Sequence, residues 1–167
     1  MTIRYSIGPS PIGNLLVAES EKGLCAVQVR HSQRELEGSL RERFADCALA
    51  RDEKALAPLR RLVLDAIAGK TAPRTLGLDV RGTDFQRAVW RELRRIPAGT
   101  TRSYADIAKA IGKPKATRAV ADACGANNLP VVIPCHRVIA KDGSIGGYTG
   151  GLHIKRALLL AEGVDLG

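Results

Sequence analysis

Cys135 and His136 stand side by side in Leu129-Pro-Val-Val-Ile-Pro-Cys-His-Arg-Val138, where an apolar run that reads as a strand stops at Pro134. A free thiol titrates near about 8.5, so a cysteine that must attack at neutral pH needs a base or a cation nearby. A structural cysteine has no such need. Chain neighbours often point apart, so the proton would pass from sulfur to imidazole through a water. Cys25, Cys47 and Cys124 carry no such partner in the sequence and read as small hydrophobes. No two of the four cysteines are spaced as CxxC, which argues against a zinc ribbon or a thioredoxin-type site. Cys25 and His31 alone do not make a tetrahedral set, and no metal is expected.

The elements that must position this pair come from periodicity and punctuation. Thr83-Asp84-Phe85-Gln86 has the form of a capping box, with Phe85, Val89, Leu93 and Ile96 following on one helical face. Pro97-Ala98-Gly99 ends that helix. Ser103 to Asp106 caps a second helix with Tyr104, Ile107, Ala108 and Ile111 as its apolar stripe, and Gly112-Lys113-Pro114 breaks it. A third helix is predicted from about Lys115 to Ala126, packed through Ala116, Ala119, Val120 and Ala123, with Arg118 turned outward. Two short helices around a glycine-containing turn make a helix-turn-helix candidate. Its flanks hold Arg102, Lys109, Lys113, Lys115 and Arg118.

Upstream, Ile3, Tyr5 and Ile7 alternate with Arg4 and Ser6 as in a half-buried strand. Asn14–Ala18 and Leu24–Val29 flank Glu21-Lys22-Gly23 as a hairpin. Leu36, Leu40 and Phe44 mark an amphipathic helix; a second is predicted over Pro58–Ala68, with Pro58 in its first turn. Leu76–Val80 reads as one more strand or an extended linker, and the domain boundary is expected near Gly82. The organisation is thus residues 1–82 followed by residues 83–167.

The chain has 167 residues, enough to bury a core without disulfides. Its balance of 45% hydrophobic and 26% charged residues is that of a globular protein. No apolar run reaches the roughly 18 residues that span a bilayer, and no signal peptide is evident, so a cytoplasmic protein with reduced thiols is expected. The net charge is +9. Up to Gly82 there are 13 basic and 10 acidic residues, and beyond it 13 and 7. An excess weighted toward the helix-turn-helix favours a polyanionic partner, nucleic acid first.

Ile133-Pro-Cys-His-Arg-Val138 resembles the active-site signature of the O6-alkylguanine-DNA alkyltransferase family, of bacterial type. The similarity is continuous from Gly82 to Gly163 and includes the helix-turn-helix in its expected place. The fold this implies is α+β: a small N-terminal antiparallel sheet with helix, ribonuclease H-like, then a mainly α, winged-helix-like domain. The implied reaction is irreversible transfer of an alkyl group, mainly methyl, from guanine O6 in duplex DNA to Cys135. His136 would take the thiol proton and Glu162 would orient the imidazole, a triad arrangement. By its place alone, Glu162 reads as a charge at the end of a C-terminal helix.

The resemblance also makes Asn127 the hinge between the helix-turn-helix and the active-site segment. Tyr104 would stand beside the flipped nucleotide and donate to guanine N3. Arg118 would enter from the minor groove and fill the vacated stack, with Ser103, Lys115, Ala116 and Thr117 along the same DNA-binding surface. Gly146, Gly147, Tyr148 and Thr149 would close over the base, Pro130 would line the alkyl pocket, and the carbonyls of Cys135 and Val138 would read the exocyclic amine. Double-stranded DNA carrying the lesion is the implied partner of a monomer with no cofactor. Thr149 stands where many members have serine. A non-catalytic damage binder, a helix-turn-helix regulator and a Cys-His thiol hydrolase are the competing readings.

Overall fold

The computed structural model describes residues 1–166. It opens with β1 (Thr2–Ser10), β2 (Gly13–Ser20) and β3 (Gly23–Arg30), joined as successive antiparallel pairs. Helix α1 (Gln33–Arg43) follows, with the Ser32 side chain accepting from the Glu35 amide. The next strand, β4 (Ala48–Arg51), pairs parallel to β1, giving the order β3-β2-β1-β4. That fourth strand was not foreseen: only four residues long and largely exposed, it carries no alternating pattern.

The sheet is covered on both faces. Ile3, Tyr5, Ile7, Leu16 and Ala18 pack with Leu36 and Leu40 of α1 and with Phe44 just beyond it. Leu15, Val17, Val27 and Val29 face the other way and join α2 (Glu53–Ile67) and the C-terminal half in one continuous cluster. Two-sided burial changes the expectation for β1. Ser6, read as solvent-facing, is fully buried and donates to Glu53 of α2. The α2 helix begins five residues before Pro58, because Asp52 caps it by accepting from the Ala55 amide. Pro58 therefore lies inside the helix rather than in its first turn.

The exposed edge of β3 is closed by the later chain. Leu24 exchanges backbone hydrogen bonds with Gly77 and Asp79, and the Val27 amide donates to Asn128 O at 3.0 Å. Leu76–Val80 thus forms a single bridge, Leu24–Leu78, rather than a strand. Ser20 and Arg81 hold the buried Asp79 carboxylate. Covering an edge in this way satisfies its unpaired backbone groups and blocks strand addition.

Beyond Gly82 the chain is mainly helical: α3 (Asp84–Leu93), β5 (Arg102–Ser103), α4 (Tyr104–Ala110), α5 (Thr117–Gly125), β6 (Val138–Ile139) and α6 (Leu152–Ala161). Both predicted capping boxes are present, Thr83 with Gln86 and Ser103 with Asp106. The indole N–H of Trp90 donates to Ala123 O at 2.8 Å and fastens α3 to α5. On α5, Val120 and Ala123 are buried, but Ala119 is exposed, so the packed stripe is narrower than predicted. Strands β5 and β6 pair in parallel, which brings Ser103 beside Ile139 and hence the start of α4 beside the Cys135 segment. No helix among the described residues is long and apolar enough to cross a membrane.

Candidate active site

The apolar run before Cys135 is a turn, not the strand its composition suggested. Val131 has φ 76°, a conformation that β-branched residues rarely adopt. Three hydrogen bonds hold the turn: Ile133 N donates to Leu129 O at 2.8 Å, and Asn127 closes both ends. The Asn127 Nδ2 donates to Ile133 O at 2.8 Å, and its Oδ1 accepts from the Leu129 amide at 2.9 Å. Backbone strain of about 1–3 kcal/mol persists only where the surroundings over-determine it, as they do here. Asn127 lies just beyond the end of α5, so its side chain links that helix to the turn before Cys135.

Cys135, His136 and Arg137 form one 3-10 turn and are all buried. Burial pushes the Cys135 thiol up, while hydrogen bonds from Asn127 and Tyr148 and the charge of Lys155 pull it down. The thiol is therefore held for deprotonation, and a base is required. His136 is the titratable group beside it in the same turn. Its Nε2 lies 3.1 Å from Glu162 Oε2. A carboxylate can only accept, so Nε2 carries the hydrogen and Nδ1 presents its lone pair. That Nδ1 is buried and has no hydrogen-bond partner among the described residues. Burial, more than any other influence, lowers the His136 pKa, so the ring is neutral at pH 7 and ready to accept a proton.

Glu162 is not the frayed terminal charge suggested by its position. It caps α6, and its side chain is 1% exposed. Its carboxylate takes His136 and, through both oxygens, Arg137: Nε to Oε1 at 2.9 Å and Nη2 to Oε2 at 2.7 Å. Arg137 spends its remaining reach on Ile96 O, at 2.6 Å, at the end of the α3 segment. These partners hold the Glu162 pKa down to about 2 against the cost of burial. Sequence reasoning missed Arg137, although it lies inside the Cys-His-Arg motif.

Lys155 was missed as well. It is fully buried, and its Nζ donates to Val138 O at 2.6 Å and to Gly147 O at 3.0 Å. One ammonium thus ties the strand after Cys135 to the loop 146–149. It also lies 5.8 Å from the centre of the Tyr104 ring. Desolvation lowers its pKa to about 8, partly offset by the thiols of Cys135 and Cys124. The Val138 carbonyl expected to read an amine is thus already bonded once, leaving its second lone pair.

The predicted loop stands over the same spot. Tyr104 Oη donates weakly to Gly147 O at 3.4 Å, and Thr149 Oγ1 donates to Gly125 O at 3.0 Å, pinning the loop to the end of α5. Gly146 has φ 71°, and a Cβ there would lie 3.0 Å from Tyr104 Oη, so glycine is needed for both reasons. Tyr104, Ala121, Gly125, Gly147 and Thr149 line a cleft of about 410 Å³ with Cys135 in its wall. Pro130 borders a second cleft that Cys135 also lines.

On the flank of this cleft, Lys115, Thr117 and Arg118 are exposed, with Ser103 and Ala116 partly so. Neither Lys115 nor Arg118 forms an ion pair among the described residues. The N-terminus of α5 has no side-chain cap, which leaves backbone N–H groups pointing outward from its first turn. Of the remaining cysteines, Cys25 is buried as expected, whereas Cys47 and Cys124 are only partly covered, and Cys124 lines the cleft. Among the described residues no cluster of metal-binding side chains occurs.

Comparison with known proteins places this arrangement in context. Residues 3–80 match the ribonuclease-like domain, and residues 84–164 the DNA-binding domain, of 6-O-methylguanine DNA methyltransferase. The chain is 42% identical over 150 residues to the inducible methylated-DNA–protein-cysteine methyltransferase of Bacillus subtilis, covering 89% of this chain and 84% of that one. It is 43% identical over 162 residues to the bifunctional transcriptional activator/DNA repair enzyme Ada of Escherichia coli, covering 97% of this chain. It spans about half of Ada's length, 46%. Among solved structures, Mycobacterium tuberculosis OGT in complex with DNA superposes with a TM-score of 0.79 at 37% identity, covering 95% of this chain and 92% of that one.

Proposed function

The chain belongs to the 6-O-methylguanine DNA methyltransferase family, and from that premise we propose that it repairs O6-alkylguanine in duplex DNA by moving the alkyl group onto its own Cys135. The observation that carries this reading is a buried, neutral His136 whose Nε2 is occupied by Glu162 and whose Nδ1 has no partner among the described residues, next in the chain to a buried thiol.

The lesion oxygen lies inside the duplex, so the nucleotide is extruded, at a cost of a few kcal/mol. Arg118 enters from the minor groove and occupies the vacated stack, as inserted side chains do in other minor-groove binders. The uncapped start of α5 takes a backbone phosphate, with Ser103, Lys115, Ala116 and Thr117 along the same face. Binding of this kind depends on salt and tolerates sequence, which suits a protein with no sequence to read.

The extruded base enters the cleft between Tyr104 and Thr149. His136 removes the thiol proton through a water. The thiolate attacks the alkyl carbon in line, the S–C bond forms as the C–O bond breaks, and guanine departs as an anion that takes a proton from solvent. Hydrogen bonds from Tyr104 to N3 and from the Thr149 amide to O6 stabilise the charge as it develops. The carbonyls of Cys135 and Val138 hold the exocyclic amine. Residues 1–82 and 83–167 act as one unit here, since the same hydrophobic cluster backs the sheet and the Cys135 turn. The thioether product does not hydrolyse, so a monomeric chain acts once, without a cofactor.

Titrating the protein into excess duplex with one O6-methylguanine tests this. The number of lesions removed is expected to plateau at one per chain. Continued turnover, as a thiol hydrolase would give, or tight binding with no transfer, as a damage sensor would give, overturns it.

A further inference from the structure

Four arginines that the proposed reaction does not use converge on one side of α3. Arg91, Arg94 and Arg95 come from the last turn of that helix and just beyond it, and Arg74 from the segment before it. They line a cleft of about 580 Å³ bounded by Ala110 and Ile111 at the end of α4. Glu92 is the only carboxylate in this lining, and it is already taken by Arg102 at 2.8 Å and Arg95 at 3.5 Å. Arg74, Arg91 and Arg94 form no ion pair among the described residues. Burial lowers the Arg94 pKa, and the charge of Arg74 lowers it further. The negative end of the α3 dipole favours cations in its last turn, but Arg74 lies outside the helix. Like charges gathered without a counter-ion repel, and an anion placed between them relieves that repulsion.

The helical period sets where these cations point. Val89, Trp90 and Leu93 are buried, and Trp90 faces α5 through Ala123 O. Arg87, Arg91 and Arg94 recur on the opposite side of α3, turned away from α5. On α5, Arg118 likewise lies opposite the buried Val120 and Ala123. The two cationic faces therefore stand back to back, with the packed interface of α3 and α5 between them. A duplex seated on Arg118 leaves the arginines of α3 facing solvent. From Arg87 to Arg94 the helix rises about 10 Å, at about 1.5 Å per residue. That is the axial length of about three phosphates on one strand of a duplex. The guanidinium fork matches a phosphate in shape as well as in charge.

We infer that this face of α3 binds the phosphate backbone of a second segment of duplex DNA, so that one chain holds two duplexes at once. The inference rests on DNA binding through α5 and not on alkyl transfer. Once α5 brings the chain onto DNA, duplex phosphates are the densest anions around it. The cleft has no aromatic side chain on which an unpaired base would stack, which disfavours a single strand.

The test counts the short undamaged duplexes bound per chain at low salt, by sedimentation velocity with a labelled duplex in excess. Two are expected for the wild-type chain and one for Arg91→Gln/Arg94→Gln. Arg34→Gln/Arg41→Gln removes the same charge from α1 and is expected to keep two. In the wild-type chain the second binding step should weaken with salt, with a log–log slope of about 0.9 per phosphate contacted. Two duplexes still bound by the α3 variant, or only one bound by both variants, overturns the inference. One duplex on the wild-type chain overturns the second face and leaves the first standing, whereas no duplex at all removes both. Should the α3 variant not fold, dicarbonyl modification of arginines in the wild-type chain decides the matter. Protection of Arg91 and Arg94 that appears only with the second equivalent of duplex supports the inference. Protection that appears with the first equivalent, together with Arg118, or none at all, overturns it.

Discussion

Glu162→Gln is expected to cost about 3–5 kcal/mol of folding stability, the usual consequence of breaking a buried ion pair from one side. The reason is Arg137. Arg137 is 5% exposed, and among the described residues its charge is compensated by Glu162 alone, through contacts of 2.7 and 2.9 Å. Glutamine keeps the shape but not the charge, and leaves that cation uncompensated beneath the active site. The pH dependence carries the signature. The Glu162 pKa is depressed, from 4.5 to about 2, so its stabilisation is complete above 4.5 and is lost as pH falls toward 2. The His136 pKa is also lowered, so below about 6.5 the unfolded chain gains a proton that the folded one resists, again weakening the fold in acid. Urea unfolding of both proteins at neutral pH and near pH 3 checks this. The gap between them should narrow as the pH drops. A gap that stays constant would mean that the carboxylate charge is not what holds Arg137.

Lys155→Met is expected to slow alkyl transfer by about a hundredfold, the scale on which misplacing a reacting group is felt. The buried ammonium alone joins Val138 O to Gly147 O, so it positions the strand after the nucleophile against the loop over the base. Removing it unties loop 146–149 from that strand, leaves Gly147 O only the weak Tyr104 contact and takes a charged donor from Val138 O, with about 1–3 kcal/mol at stake for a buried carbonyl that stays unpaired. It also removes the positive charge that favours the Cys135 thiolate. The wild-type rate should therefore show a limb near pH 8, where Lys155 loses its proton, and the variant should lack it. A variant that is merely less stable would keep that limb, so the pH profile separates positioning from folding.

How much of this was visible in the sequence varies with the physics behind each element. Thr83 with Gln86 and Ser103 with Asp106 are local signals that specify their own helix starts, and both capping boxes appear where they were read. The hairpin turn at Glu21–Gly23 is local in the same way. Pro58 misled because a proline was taken as a helix start, while the true cap, Asp52, lies six residues earlier. Leu129–Ile133 misled because apolar residues suit a buried turn as well as a strand; only the Asn127 side chain distinguishes the two. Ser6 was misplaced because the alternation rule assumes one wet face, and α2 covers that face.

For the site, Cys135 and His136 were legible as an adjacent nucleophile and base. Glu162, Asn127 and Tyr104 came only with the family resemblance. Arg137 and Lys155 escaped both. Each is a basic residue in a stretch of mixed polarity, and its burial is a tertiary fact. Lys155 sits in Leu152-His-Ile-Lys-Arg156, where its neighbours His153 and Arg156 are exposed and it is not. A cation buried next to a carboxylate or two carbonyls cannot be told from a solvated one by type or spacing.

In the proposed reaction Cys135, and no other thiol, receives the alkyl group. The direct measurement is the intact mass of the protein after reaction with a duplex containing one O6-methylguanine, followed by fragmentation of the tryptic peptide Ala119–Arg137. That peptide holds both Cys124 and Cys135, the two thiols lining the cleft, so fragmentation must separate them. One methyl group on Cys135, with none on Cys124 and none in Cys135→Ala, is the predicted result. A methyl group on Cys124, or unmodified protein still bound to the lesion, would contradict it.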